Sequence, residues 1–266
     1  MASFSVVTNI ASENAQANLE RTSIGLNRSL NRLSSGFRIN YSGDDAAGLA
    51  VANGYRSEVA VLNQGIRNAN DGLSTLQIKD GALNNISTLL DRLATLASQA
   101  ASAGFQGNRD TLNSEFVTIV TEIDREAAVA NLTAVNGFSV FVSSAAGSST
   151  VGGLIGAVSS TSLNLAGVTI STPTTAAAAI TNITNVVAAL GGVQGSIGTL
   201  ENRLSFAISL AQSQVVNTKS AESRIRDANI AEESANMTRF NILNQAGIAT
   251  LSQANQMSAA ILSLLK

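Results

Sequence analysis

The chain has 266 residues, of which 45% are apolar but only 4% aromatic, and it contains neither His nor Cys. It therefore lacks the commonest general base and metal ligand, and it has no thiolate or disulfide chemistry. Its net charge of −2 gives no basic surface for nucleic acid. No Sec-type signal is recognisable, and no continuous apolar run of about 18 residues predicts a membrane span.

The first predicted helix covers residues 11–35, after an N-terminal segment 1–10 that we expect to be frayed or dependent on a partner. Gly36 suits the position after the helix, where φ is positive. One narrow apolar stripe follows the helix, and an isolated helix with such a stripe is marginal in water. The stripe consists of Leu19, Leu26, Leu30, Leu33 and Phe37.

Asp44 and Asp45 precede a predicted short helix. Adjacent carboxylates at a helix start do not converge on one point, and no His lies nearby to share acid–base work. Either side chain can instead accept the free N–H groups of the helix and complement its dipole. We therefore expect a helix cap here.

The longest predicted helix covers residues 56–101, and the rest of the fold is organised around it. Its apolar residues recur at alternating steps of three and four, as in a coiled-coil seam. Asp80 falls on the seam, and an early step from Leu83 to Ile86 predicts a shift of phase. Leu89, Arg92 and Leu96 lie off the seam, on a second face that indicates either wider burial within the chain or contact between chains.

A second helix is predicted at residues 109–130, and the short turn before it predicts an antiparallel helical hairpin. At Asn136-Gly137 the period changes to that of a strand. Alternation over residues 138–144 and apolar residues at 163–170 predict a β-hairpin, with a loose tip at 144–162.

After Pro173 a long helix is predicted over residues 176–220. One heptad register fits its apolar residues, with Gln194 and Glu201 at missed positions. Gly191, Gly192, Gly195 and Gly198 oppose the helix, so we expect it to be bent or loosened there. This stretch lacks the Gly-Lys-Ser/Thr ending and the preceding strand of a phosphate-binding loop.

A last helix is predicted up to Leu265, again with a narrow stripe. The two chain ends are thus similar, and we expect them to pack together. The fold class is mainly α, a long antiparallel coiled-coil or helical-bundle rod with a small β-hairpin. The stripe of the last helix consists of Met237, Phe240, Leu243, Leu251, Ala254, Met257, Ile261 and Leu264.

Long motifs at both ends resemble those of one family, the bacterial flagellins. The N-terminal motifs are residues 30–40 (LNRLSSGFRIN), 43–50 (GDDAAGLA) and 67–72 (RNANDG). The C-terminal motifs are residues 223–229 (SRIRDAN), 236–237 (NM), 242–247 (ILNQAG), 253–256 (QANQ) and 262–266 (LSLLK).

This resemblance implies a core of two domains. D0 would consist of residues 1–43 and 224–266. D1 would consist of N-terminal helices at 44–137, a β-hairpin with a short variable loop at 138–173 and a C-terminal helix at 174–223. Outer domains have no room, and without His the chain cannot carry the metallopeptidase insert of some relatives. No cofactor is implied.

The resemblance also implies a function: export through the flagellar type III apparatus and self-assembly into the extracellular filament used for swimming. Implied partners are other copies of the chain, a cap protein, a hook–filament junction protein and a secretion chaperone. Assembly is expected to use Leu19, Leu26, Leu30, Leu33, Leu243, Leu251, Met257, Ile261 and Leu264. The alternative within the flagellum is that the chain is itself a hook–filament junction protein.

A third hypothesis is that the chain acts as a receptor-binding module. Flagellins seen by the innate immune receptor TLR5 carry an Arg, a Leu and a Glu on D1, which correspond to Arg92, Leu96 and Glu115. Asp91 stands where that patch has glutamine, and Val135 stands where relatives have Phe before Asn-Gly. The same patch, with Leu89, is expected to pack protomers together.

Overall fold

The computed structural model of the chain describes residues 8–105, 107–143 and 150–264, with side chains described up to residue 257. Two compact units divide it: a terminal unit, Met1–Ser57 with Asn217–Lys266, and a central unit, Glu58–Val216. The mainly α fold with a small β-hairpin is confirmed. The elements are α1 (Ile10–Ser35), α2 (Ala46–Ala101), α3 (Arg109–Val129), β1 (Asn136–Phe141), β2 (Thr150–Ile155), α4 (Pro173–Arg226) and α5 (Ile230–Leu264).

Helix α2 is continuous, so the predicted short helix after Asp45 and the long helix are one element. Its buried positions include Gly65 and Gly72, and from Leu62 to Ala100 one series of them recurs at alternating steps of three and four, with Ala82 and Leu96 buried beside it. The predicted phase shift is therefore wrong. The sequence pattern places Ile66 and Leu73 on the seam, whereas the structure buries Gly65 and Gly72, each one residue earlier.

Lys79, and not Asp80, occupies the polar position of this stripe. Lys79 is 7% exposed, and its Nζ donates a hydrogen bond of 3.1 Å to the carbonyl oxygen of Asn131. Burial lowers the pKa of the Lys79 ammonium. Asp80 is only partly buried.

Asn131 lies just beyond α3, in a left-handed conformation with φ 52°. The N–H of Asn131 donates to the carbonyl of Ala128, and that of Leu132 donates to the carbonyl of Ala127. These two bonds form a Schellman motif, which satisfies the last carbonyls of the helix. The Lys79 ammonium thus lies at the negative end of the α3 dipole.

Helices α2 and α3 run antiparallel, as the short turn predicts. Asn85 bonds to Glu126, and Arg92 bonds to Glu115 further along the hairpin. The guanidinium of Arg109 reaches back and donates to the carbonyls of Ala100 and Ser102. The first residue of α3 therefore caps the last turn of α2.

The β-hairpin packs on α2 where that helix has glycine. A β carbon at Gly65 would lie 1.8 Å from the carbonyl oxygen of Val142, and one at Gly72 would lie 2.7 Å from Cγ2 of Val140. Only a residue without a side chain admits the strand so closely. Val140 and Val142 are buried, and Phe141 is exposed, as the alternation predicts.

The second strand differs from the prediction. β2 is Thr150–Ile155, paired antiparallel with β1 from Asn136↔Ile155 to Phe141↔Thr150. It lies within the segment predicted as a loose tip, because Gly152 and Gly153 hid the strand pattern. Residues 144–149, also part of that tip, lie outside the described structure.

Residues 163–170, predicted as a strand, form turns and irregular structure. Their backbone N–H groups donate mainly within local turns, as Leu165 N does to the carbonyl of Ser160, and α3 side chains hold the two ends of the region. The Asp124 carboxylate accepts from the N–H and hydroxyl of Ser160, and Asn113 Oδ1 accepts from the N–H of Ile170. Burial is achieved without pairing: Leu163, Leu165 and Ile170 are buried.

Helix α4 runs unbroken through its four central glycines. Its buried stripe passes through Ile197, Leu200 and Leu204, with Val193 partly buried against the core. Ile197 and Leu204 keep the predicted register, whereas the alternate positions lie one residue earlier than predicted, so the polar residues at 194 and 201 are not core positions. By length and composition alone α4 could cross a membrane. Core helices of soluble proteins pass the same test, and α4 contributes to the central core.

Candidate assembly surfaces

Helices α1 and α5 of the terminal unit pack antiparallel along their described length. Near one end, Asn9 Nδ2 donates to the carbonyl of Ala254 at 3.0 Å. Near the other, Arg32 Nη1 donates to Glu233 Oε1 at 3.0 Å. Glu233 is buried, so this ion pair is shielded from water more than a surface pair would be.

This helix pair buries little of its own apolar surface. In the described parts of α1 and α5, only Ser29, Glu233 and Ala254 are buried. Large apolar side chains remain exposed: Ile24, Leu30, Ile242, Leu243, Ile248 and Met257. These exposed side chains are available for contact with a partner. We call these six side chains the terminal apolar surface.

The predicted assembly residues divide between the contact and this surface. Leu19, Leu26, Leu33 and Leu251 are half-buried. The terminal apolar surface includes Leu30, Leu243 and Met257, which are 43%, 45% and 56% exposed. The side chains of Ile261 and Leu264 lie outside the described residues.

The two chain segments that leave the helix pair are joined to each other. Arg38 N donates to the carbonyl of Arg226, and Ala228 N donates to the carbonyl of Gly36. The Arg226 guanidinium lies 4.1 Å from the centre of the Phe37 ring, a cation–π contact. Gly36 has φ 74° at the end of α1, as predicted.

Asp45 and Asp44 have different partners. Asp45 Oδ1 accepts the N–H of Gly48 at 2.9 Å, in the first turn of α2. Asp44 Oδ2 accepts the N–H of Asn40 at 3.2 Å, in the preceding connector. Capping of α2 therefore rests on Asp45, while Asp44 holds the connector.

The predicted patch on the central unit is only partly at the surface. Arg92 Nη2 and Glu115 Oε1 lie 2.6 Å apart, with both side chains substantially exposed. Leu89 is half-buried against the core. Leu96 is 1% exposed and belongs to the central core. Of the two interpretations of this face, wider burial within the chain therefore holds for Leu96.

Several structural residues were not recognised in the sequence. The sequence pattern places Phe240 in an apolar stripe but does not show its contact with Gly25 on α1. The pairing of Arg32 with Glu233 spans 201 residues of sequence, and nothing local indicates it. Among the described residues there is no group of three or more acidic, His or Cys side chains placed to hold a metal ion.

Comparisons with known proteins agree along nearly the whole chain. The bacterial flagellin N-terminal helical region matches residues 6–146, and the bacterial flagellin C-terminal helical region matches residues 176–265. A flagellin of Halalkalibacterium halodurans is 36% identical, over 97% of this chain and 98% of the relative. A flagellin of Listeria monocytogenes is 30% identical, over 94% and 96%.

Two further comparisons involve a filament protein and a solved structure. The flagellar filament 33 kDa core protein of Treponema phagedenis is 31% identical, over 97% of this chain and 98% of the relative. The crystal structure of Bacillus cereus flagellin is 26% identical and covers 59% of this chain and 94% of that one, with a TM-score of 0.49. Since both family regions and the near full-length relatives match, this chain belongs to the bacterial flagellin family.

Proposed function

We infer that this chain is the structural subunit of a bacterial flagellar filament and assembles with copies of itself. The observation that carries this is the near full-length similarity to flagellins and to flagellar filament core proteins. The terminal apolar surface, left uncovered in a single chain, is consistent with it. The chain belongs to a structural family and is not an enzyme.

The domain assignment is part of the proposal. Residues 1–43 and 224–266 would form D0, and residues 44–223 would form D1. Support comes from the long α1–α5 contact and from the short ladder between residues 36–38 and 226–228, which marks the place where both chain segments leave the helix pair.

Truncation tests assembly through the terminal helices. Chains lacking residues 1–20 or 247–266 should stay as soluble monomers under conditions in which the full chain polymerises, measured by sedimentation and electron microscopy. The core cluster lies within residues 59–215, so both truncated chains should keep the thermal unfolding of the central unit. Filaments of normal pitch from either truncation would contradict the assignment.

Export is proposed from the family. The chain would leave the cell through the flagellar type III apparatus, accompanied by a chaperone on α5, and add to the filament beneath a cap protein. Detection of the chain in culture medium, and its retention in cells with an inactive export apparatus, tests this step. Equal release from both cell types would contradict it.

The junction-protein alternative predicts a different distribution. A filament subunit should bind gold-labelled antibody along the whole filament, whereas a junction protein should be labelled only where filament meets hook. The filament-protein names among the relatives favour the first result.

Receptor recognition is a second proposal, supported by the exposed Arg92–Glu115 pair. Activation of TLR5 reporter cells by monomer should fall in Arg92→Ala and persist in Arg125→Ala, another exposed ion-paired arginine. An exposed pair contributes only about 0–1 kcal/mol to stability, so both variants should remain folded. Equal activation by both variants would refute this role for Arg92.

A further inference from the structure

Each helix of the terminal pair has a glycine that receives a large side chain of the other. A β carbon at Gly25 would lie 2.7 Å from two ring carbons of Phe240, and one at Gly247 would lie 2.8 Å from Cδ1 of Leu19. Helix α1 thus accommodates Phe240 of α5, and α5 accommodates Leu19 of α1. We call these the two notches.

The notches share one register with the polar contacts. On α5 the residues Glu233, Phe240, Gly247 and Ala254 follow one another at intervals of seven. Their partners run in the opposite direction along α1 and the residue that caps its N-terminus: Arg32, Gly25, Leu19 and Asn9.

A heptad seam by itself permits sliding by seven residues. Sliding α5 one way would bring Phe240 opposite Leu19, two large side chains in one space, and Glu233 would lose Arg32. Sliding it the other way would bring Gly247 opposite Gly25 and leave a void. Of these three registers, only the observed one fills both notches.

We propose that the two notches are specificity determinants that fix the register of α1 against α5. Through that register they position the exposed side chains on the two helices, such as Leu30 and Ile242, which neighbouring copies would contact. This proposal rests on the proposed function as a filament subunit.

The first test measures assembly. Gly25→Ala should raise the monomer concentration needed for seeded polymerisation by about tenfold, which corresponds to about 1.4 kcal/mol. The double variant Gly25→Ala/Phe240→Ala should polymerise better than Gly25→Ala alone, because the smaller side chain removes the clash. Gly54→Ala is the control, since its added methyl meets no atom within 4 Å.

The second test reads the register directly. The chain has no Cys, and Ser12 Oγ lies 3.0 Å from Asn255 Oδ1, so Ser12→Cys/Asn255→Cys introduces one reporter pair. A slide of seven residues moves α5 by about 10 Å, beyond the reach of a disulfide. Oxidation should link the pair within one chain, and it should do so less completely when Gly25→Ala is added.

Equal polymerisation and equal cross-linking of Gly25→Ala and Gly54→Ala would overturn the proposal. Cross-linked dimers would also overturn it, because the helices would then pair between chains. If the unmodified chain forms no filaments, the proposed function fails, while cross-linking of the monomer still tests the register. Unchanged thermal unfolding of the central unit excludes general misfolding.

Discussion

Gly65 lies directly against the main chain that follows β1, since a β carbon there would lie 1.8 Å from the carbonyl oxygen of Val142. The pattern of apolar residues shows where large side chains are buried, but it gives no signal for a buried glycine. For this reason the sequence pattern places Ile66 and Leu73 on the seam of α2, each one residue after a buried glycine. A buried glycine is recognised only when the strand that needs it is known.

Gly65→Ala should lower the free energy of unfolding by about 1–3 kcal/mol, the usual cost of forcing extra volume into a packed site. Its methyl would meet backbone, which cannot rotate away. Gly81→Ala is the matched control on the same helix: nothing lies within 4 Å of its added methyl, so stability should hold or rise by up to about 1 kcal/mol. Urea unfolding followed by circular dichroism compares them, and equal stability of the two variants would contradict the close approach.

Lys79 could be placed on α2 from the sequence, but not inside the core. Its charge is buried with a carbonyl partner and the helix dipole, and burial lowers the pKa of its ammonium. Between that lowered pKa and the ordinary value of 10.5, the unfolded chain binds more protons at this residue than the folded chain. The penalty for burying the charged Lys79 is complete below this window and is lost as pH rises through it. The free energy of unfolding therefore increases with pH there.

Lys79→Met should remove this dependence on pH. The Asn131 carbonyl keeps a donor in Asn136 Nδ2, at 2.7 Å, so the substitution leaves no unpaired acceptor. The free energy of unfolding of the unmodified chain, minus that of Lys79→Met, should increase as pH rises toward 10.5. A flat or falling difference in parallel urea titrations would show that the ammonium is not destabilised by burial.

At the scale of elements, helices follow closely from the sequence because their apolar period persists over many turns. The predicted ends of α1 and α3 lie within one residue of those observed. Strands depend on partners distant in sequence, and the two glycines of β2 interrupt its apolar pattern. Residues 163–170 have strand-like composition, but their backbone N–H groups donate within local turns, and that of Ile170 donates to Asn113. Such competition for hydrogen bonds is invisible without the fold.

Substitution of the central glycines of α4 tests whether they weaken this helix. Their added methyls would meet no atom within 4 Å, so the glycines serve no close contact inside the described chain. Gly191→Ala and Gly195→Ala should each raise the free energy of unfolding by up to about 1 kcal/mol. Thermal unfolding by circular dichroism measures this. Loss of stability in either variant would indicate that the glycine is needed where it stands.

The whole molecule divides its apolar burial unevenly. Every residue of the main core cluster lies between Val59 and Val215, within the central unit. The terminal unit relies on a thin helix pair, with a polar ion pair and two glycine notches along its contact. The sequence indicated this contrast through the narrow stripes of the terminal helices. The antiparallel register of the pair depends on contacts between residues more than 200 positions apart, which no local pattern reveals.

This contrast predicts a difference in local stability between the units. In the monomer, backbone amides of α1 and α5 should exchange with deuterium much faster than those of α2 between Leu62 and Ala100, because local opening there exposes little buried apolar surface. In filaments, the amides of α1 and α5 should become protected, since the proposed assembly would cover the terminal apolar surface with neighbouring copies, while those of the central core should change little. Hydrogen–deuterium exchange with mass spectrometry separates these segments. Equal protection of α1, α5 and the core in the monomer would mean that the helix pair is stable by itself, and that assembly does not supply its missing contacts.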